Sequence, residues 1–171
     1  YDLVDGHWPT KYNEVLLQVD KNNRISDYTL YSLGILSQKH LEEQFKNMTS
    51  GKEVKFEETS YETKDLIGLT FKLVLNTDYY KKQNGIWMDM KNDSKYMNKI
   101  IKDAETVKIV GIIKQNPDAI SGGGSYGMVG YLPELKEHLI NKINEAKIVK
   151  EQKENETINV FTGSEFSTST K

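Results

Sequence analysis

The run Val107-Lys108-Ile109-Val110-Gly111-Ile112-Ile113 constrains the fold more than any other stretch of the chain. Apart from its lysine and its glycine, it offers apolar side chains at consecutive positions, and successive side chains of a strand point to opposite faces. A strand of this kind has to be covered on both sides, so the chain needs a sheet with material packed above and below it. The glycine predicts a bulge or a close backbone approach at position 111.

Other elements can be placed around that strand. Val15-Leu16-Leu17-Gln18-Val19 reads as a short strand closed by the turn-forming Asp20-Lys21-Asn22-Asn23. A helix follows, capped by Ser26, stapled by Ile25 and Leu30, and ended at Gly34. A second helix over residues 37–48 carries Leu41, Phe45 and Met48 at helical spacing, and residues 52–58 alternate weakly, as an edge strand does. Leu69, Phe71, Leu73 and Leu75 alternate with Thr70, Lys72, Val74 and Asn76, which predicts a strand over 69–75. Residues 78–90 predict a hairpin turning at Asn84-Gly85, and residues 94–103 a helix with Tyr96, Ile100 and Ile101 inward.

Past the glycine-rich stretch, residues 128–132 form a strand. Pro133 then opens a helix that buries Leu135, Leu139, Ile143 and Ala146, with Glu134 and Glu137 near its positive end. Residues 151–156 read as charged and solvated, 158–161 as a returning strand, and 164–171 as a frayed tail. Strands and helices mix without strict alternation and without a repeat, so the fold class is α+β: a mixed sheet with short helices packed on it. Residues 1–163 are expected to form one domain of one or two small lobes.

Composition removes several function classes. With 23 basic and 25 acidic residues spread over 171, the chain has no field to gather nucleic acid or an anionic membrane. It has no cysteine, which excludes disulfides, thiolate metal sites and thiol nucleophiles and suits export. No apolar run approaches the roughly 18 residues of a membrane helix, and the start at Tyr1 reads as that of an excised soluble piece.

One stretch, "AISGGGSYGMVGYLPELKEHL", fits two catalytic patterns. Gly122-x-Gly124-x-x-Gly127 resembles a dinucleotide fingerprint, yet no helix opens at the third glycine to hold a pyrophosphate. Gly123-x-Ser125-x-Gly127 resembles a nucleophile elbow, but the downstream histidine, His138, sits one helical turn from Glu134, a spacing usual in an exposed pair. The reading preferred for Gly122, Gly123, Gly124 and Gly127 is a pliable loop needing no cofactor, with a small serine hydrolase using Ser125 as the remote alternative. His7, His40 and His138 are scattered, so no metal site is expected, and Asp20-x-Asn22 starts like a calcium loop without its later ligands. Glu42-Glu43 and Glu57-Glu58 are neighbours in sequence and do not converge on a substrate.

Ten tyrosines and two tryptophans are the remaining signal. In "DYYKKQ" and "GIWMD" aromatics stand beside charges, a pattern that interfaces favour, which makes Tyr79, Tyr80 and Trp87 candidate interface residues for a peptide or glycan. Tyrosines half-buried at strand edges would give the same pattern.

Four stretches in order, "GHWPTKYNEVLLQVD", "ISDYTLYSLGI", "DLIGLTFKLVLN" and "VKIVGIIKQNPD" leading to "GMVGYLPELKEHL", resemble the extracytoplasmic (MacB-like periplasmic core) domain of MacB/FtsX-like ABC transporter permeases of the Gram-positive type. That resemblance implies a domain between the first two transmembrane helices of a permease that works as a dimer with a cytoplasmic ABC ATPase. It implies no catalytic or cofactor site here, a location outside the cell membrane, and docking of an accessory or substrate protein. Against the family pattern, Tyr1 falls partway into the domain, so the sheet is expected to lack a membrane-proximal strand.

Overall fold

The computed structural model describes residues 1–50, 61–119 and 128–167. The edge strand expected over 52–58, Ser125 and the four loop glycines between 122 and 127 lie outside the described residues. The fold is α+β, with parallel and antiparallel pairing in one sheet. Among the described residues no helix is long and apolar enough to cross a membrane.

Two compact units make up the chain, residues 1–71 with 108–132 and residues 72–107 with 133–171. A five-stranded sheet organises the first, although residues 72–73 and 105–107 of its strands fall in the second. Its strands are β1 (Asp2–Gly6), β2 (Glu14–Val19), β3 (Thr70–Leu73), β6 (Glu105–Lys114) and β7 (Val129–Tyr131), in the order β1-β6-β2-β7 with β3 also on β6. β2 runs parallel to β6, whereas β1 on β6 and β7 on β2 are antiparallel. Val15, Leu16, Leu17 and Val19 are buried at consecutive positions, as are Ile109, Val110, Ile112 and Ile113, so both faces are covered as the apolar runs require.

The expected irregularity at Gly111 is present. Val15 lies opposite Ile109 and Leu16 opposite Gly111, so Val110 is an extra residue on β6. On the other side Gly6 pairs with Gly111, and the His7 amide donates to the Val110 carbonyl at 3.0 Å. A Cβ on Gly111 would stand 2.6 Å from the His7 carbonyl oxygen and 2.8 Å from Leu16 Cδ2, so only glycine fits there.

Helix α1 (Asp27–Ser32) begins as its sequence dictates, with Ser26 Oγ accepting from the Thr29 amide at 3.2 Å. It ends with the Gly34 and Ile35 amides donating to the Tyr31 and Leu30 carbonyls, the paired bonds of a Schellman motif. Asp20 closes the turn before it by accepting from the Asn22 and Arg24 amides, which is a turn role and not a metal-ligand one. Helix α2 (Gln38–Thr49) forms where expected, but Phe45 and Met48 are exposed. Sequence reading did not foresee β1 or the one-turn helix α3 (Thr63–Leu66).

In the second unit the hairpin is where the sequence puts it. β4 (Tyr80–Gln83) and β5 (Ile86–Asp89) are joined by Asn84 and Gly85 with φ of 50° and 88°, the left-handed pair of a type I′ turn. Helix α4 (Ser94–Asp103) has the expected bounds, capped by Asp93, but Ile101 is exposed because it projects well to one side of the Tyr96–Ile100 face. β3 is shorter than the alternation suggested, since Asp78 accepts from the Leu75 amide and starts a 3-10 helix over Asn76–Tyr79. Helix α5 (Pro133–Glu145) stops one residue before Ala146, which is extended and opens a separate helix α6 (Lys147–Glu154). Residues 151–154 are therefore helical, with Glu151 and Gln152 half-buried, while 153–156 are exposed as the charged run predicts. Nor do residues 158–161 form a strand. Ile158 makes a single antiparallel bridge with Glu165, after which Asn159 Oδ1 accepts from the Phe161 amide and the Asn159 carbonyl from Gly163, so a local turn takes over.

Candidate binding site

Within the second unit, the register of the hairpin decides which aromatic side chains can meet. Tyr80 faces Asp89 and Lys82 faces Trp87, and alternation puts these four on one side of the ribbon. On that side Glu151 of α6 accepts from Trp87 Nε1 at 2.8 Å and from Lys82 Nζ at 2.9 Å. The hydrogen bond from Lys82, then that from Trp87, lowers the Glu151 pKa and keeps this acceptor ionised.

The turn after α6 is fixed to the same place. The Trp87 amide donates to the Val160 carbonyl at 2.9 Å, and the Tyr80 and Phe161 rings lie 5.1 Å apart at a tilt of 55°. Gln152 uses its whole amide on this turn, with Oε1 accepting from the Val160 amide and Nε2 donating to the carbonyls of Asn155 and Ile158. Beneath the hairpin, the Tyr96 hydroxyl lies within hydrogen-bond distance of the Asp78 and Tyr80 carbonyls, and burial first, then the Asp78 charge, raises its pKa.

Between these parts lies an open groove of about 380 Å³ walled by Tyr80, Ile148, Val149, Val160 and Phe161, with Lys153 on its margin. This volume falls in the range of small-molecule sites, roughly 300–1,000 Å³. Thr77 also lines it, and its hydroxyl is buried with no hydrogen-bond partner among the described residues. Replacing that hydroxyl by a methyl group of the same shape removes an unpaired polar atom, so Thr77→Val is expected to stabilise the protein by about 1 kcal/mol. Urea unfolding of the two proteins side by side checks this, and a loss of stability would show that the hydroxyl has a partner.

The three interface candidates thus part ways. Tyr80 is a wall of the groove, Trp87 is committed to Glu151, and Tyr79 lies outside the groove with Lys91 Nζ 4.9 Å from its ring centre. All three are half-buried. Sequence reasoning missed Ile148, Val149, Val160 and Phe161. Their signal was the pair Ile148-Val149 set among lysines and glutamates, which marks one apolar stripe on a short helix.

A second hollow of about 360 Å³ in this unit holds the best-defined charge cluster. His138 does not pair with Glu134. Its Nε2 lies 2.7 Å from Glu105 Oε2, and Lys142, one turn further along α5, donates to Glu105 Oε1 at 2.5 Å. The hydrogen bond from Lys142, reinforced by that from His138 and opposed by partial burial, holds the Glu105 carboxyl below the usual glutamate range.

A group whose pKa is lowered by folding adds stability that is complete above its unfolded value and is lost as the pH falls through the folded one. The advantage of the wild type over Glu105→Gln is therefore expected to be constant near neutrality and to fade in acid, below the ordinary glutamate value of about 4.3. Unfolding midpoints across a pH series measure it, and a difference unchanged in acid would assign the effect to packing instead of charge.

Elsewhere, His7 Nδ1 lies 2.9 Å from the Trp8 carbonyl at an exposed position. Among the described residues no three acidic or histidine side chains are grouped to hold a metal ion. No family model, no curated protein and no solved structure matches this chain.

Proposed function

We propose that the chain is the extracytoplasmic domain of a MacB/FtsX-like ABC transporter permease, relaying ATP-driven movement to the export or release of a substrate outside the membrane. ATP hydrolysis belongs, on this reading, to a cytoplasmic ATPase, and the permease works as a dimer. The observation that carries it is the order of the four stretches bearing the resemblance. They coincide with β2, α1, β3 and β6, and the continuation of the last with β7 and the start of α5, so the likeness falls on the frame of the fold. The division of the chain supports a mechanical role. It passes between the two compact units three times, at 71/72, 107/108 and 132/133, so movement of one unit is handed to the other through three covalent links.

The test is to read the gene on either side of the encoded chain. An apolar segment of about 20 residues shortly before Tyr1 and three more after Lys171 are expected. A reading frame with no such segment removes the transporter reading.

The groove beside Tyr80 favours a second reading, a surface module that captures peptide or glycan. Binding to a peptide or glycan array that is lost in Tyr80→Ala, in a protein whose gene encodes no membrane span, would decide for it.

A further inference from the structure

We propose that the groove beside Tyr80 binds a medium-length acyl or alkyl chain carrying an anionic head group, with the chain against the apolar walls and the head at the Lys153 ammonium. The other polar side chains there, Asn76, Thr77, Gln152 and the Tyr80 hydroxyl, are uncharged. The Gln152 amide is fully bonded to its own turn, and the Thr77 hydroxyl is occluded. The walls are Tyr80, Ile148, Val149, Val160 and Phe161, and Phe161 leaves 46% of its surface uncovered. An apolar body is what such walls gain from covering, through removal of their surface from water.

Lys153 decides the head group. Among the described residues it is the one ionic side chain lining the groove, and its Nζ donates to the neutral Asn144 Oδ1 at 2.9 Å. Among the described residues no carboxylate is paired with it. An ammonium carries three donors, so two remain for an incoming anion. Lys153 and Phe161 also line an adjoining hollow, together with Glu156. The proposal is independent of the permease reading, since it uses only side chains of the second unit.

Calorimetric titration of the 171-residue chain with decanoate, decanol and decyltrimethylammonium, each below its micelle concentration, tests it. One saturable site for decanoate is expected, with decanol weaker and the cation weakest. Lys153→Met is expected to weaken decanoate about fivefold, the size of one partly exposed charge pair, and to leave decanol unchanged. Val149→Trp fills the groove and is expected to abolish binding of both, with its circular dichroism and melting compared to the wild type. Should that variant not fold, the Lys153→Met comparison decides alone. Absence of saturable decanoate binding overturns the proposal. So does a cation that binds as well as the anion, a decanol that binds as well as decanoate, or undiminished binding by a folded Val149→Trp protein.

Discussion

Gly111→Ala is expected to destabilise the protein by about 3 kcal/mol, at the upper end of what forcing one methyl group into a packed interior costs. The new Cβ would sit 2.6 Å from the His7 carbonyl oxygen, a backbone atom fixed by the hydrogen bond from the His7 amide to Val110, and 2.8 Å from Leu16 Cδ2. Leu16 cannot swing away, because it is buried on the central strand. Relief would have to come from parting β1 and β6 where Gly6 and Gly111 face each other. Gly130→Ala is the control. There the nearest atom to an added Cβ is Leu16 Cβ at 3.5 Å, an ordinary contact, so that variant should unfold within about 1 kcal/mol of the wild type. Urea midpoints for the pair check the prediction, and equal midpoints would mean that the strand approach is looser than described.

Leu17→Ala should cost still more, about 4 kcal/mol, in the upper part of the range for truncating a buried leucine. Leu17 is 0% exposed. It pairs with Ile112 on one side and Val129 on the other, so the backbone around it is held by two neighbouring strands and cannot collapse into the space vacated. The size of such a loss depends on how far the surroundings relax, and a strand bonded along both edges relaxes least. Ile101→Ala, at a position 42% exposed on α4, should change stability by less than about 0.5 kcal/mol under the same conditions.

Where a local rule dictated the structure, the sequence was readable. Asn84-Gly85 demands left-handed backbone and supplies it, Ser26 and Asp93 carry side chains that cap helices, and the run from Val107 to Ile113 leaves no face for water. Failures came where tertiary partners overrule a weak local signal. Ala146 is a good helix former, and nothing in its neighbours announces that the backbone leaves the helix there. β1 contains glycine and two aspartates and owes its existence to the open edge of β6.

The candidate site was legible by half. Aromatics beside charges singled out Tyr79, Tyr80 and Trp87, but another part of the lining comes from Ile148 and Val149, to which no role was assigned, and from the following turn, read as strand. His138 was weighed against Glu134, its neighbour on the helix. Its partner Glu105 is 33 residues away in sequence, a separation that spacing rules do not address.

Because neither unit is a continuous piece of sequence, the nascent chain cannot finish one before starting the other. Strand β2 is translated before its two bonding neighbours, β6 and β7, with nearly the whole first segment of the other unit between them. Its apolar side chains wait for them across a long loop whose closure has an entropic cost. A message cut short before residue 132 therefore yields two unfinished halves, not one sound unit and one missing.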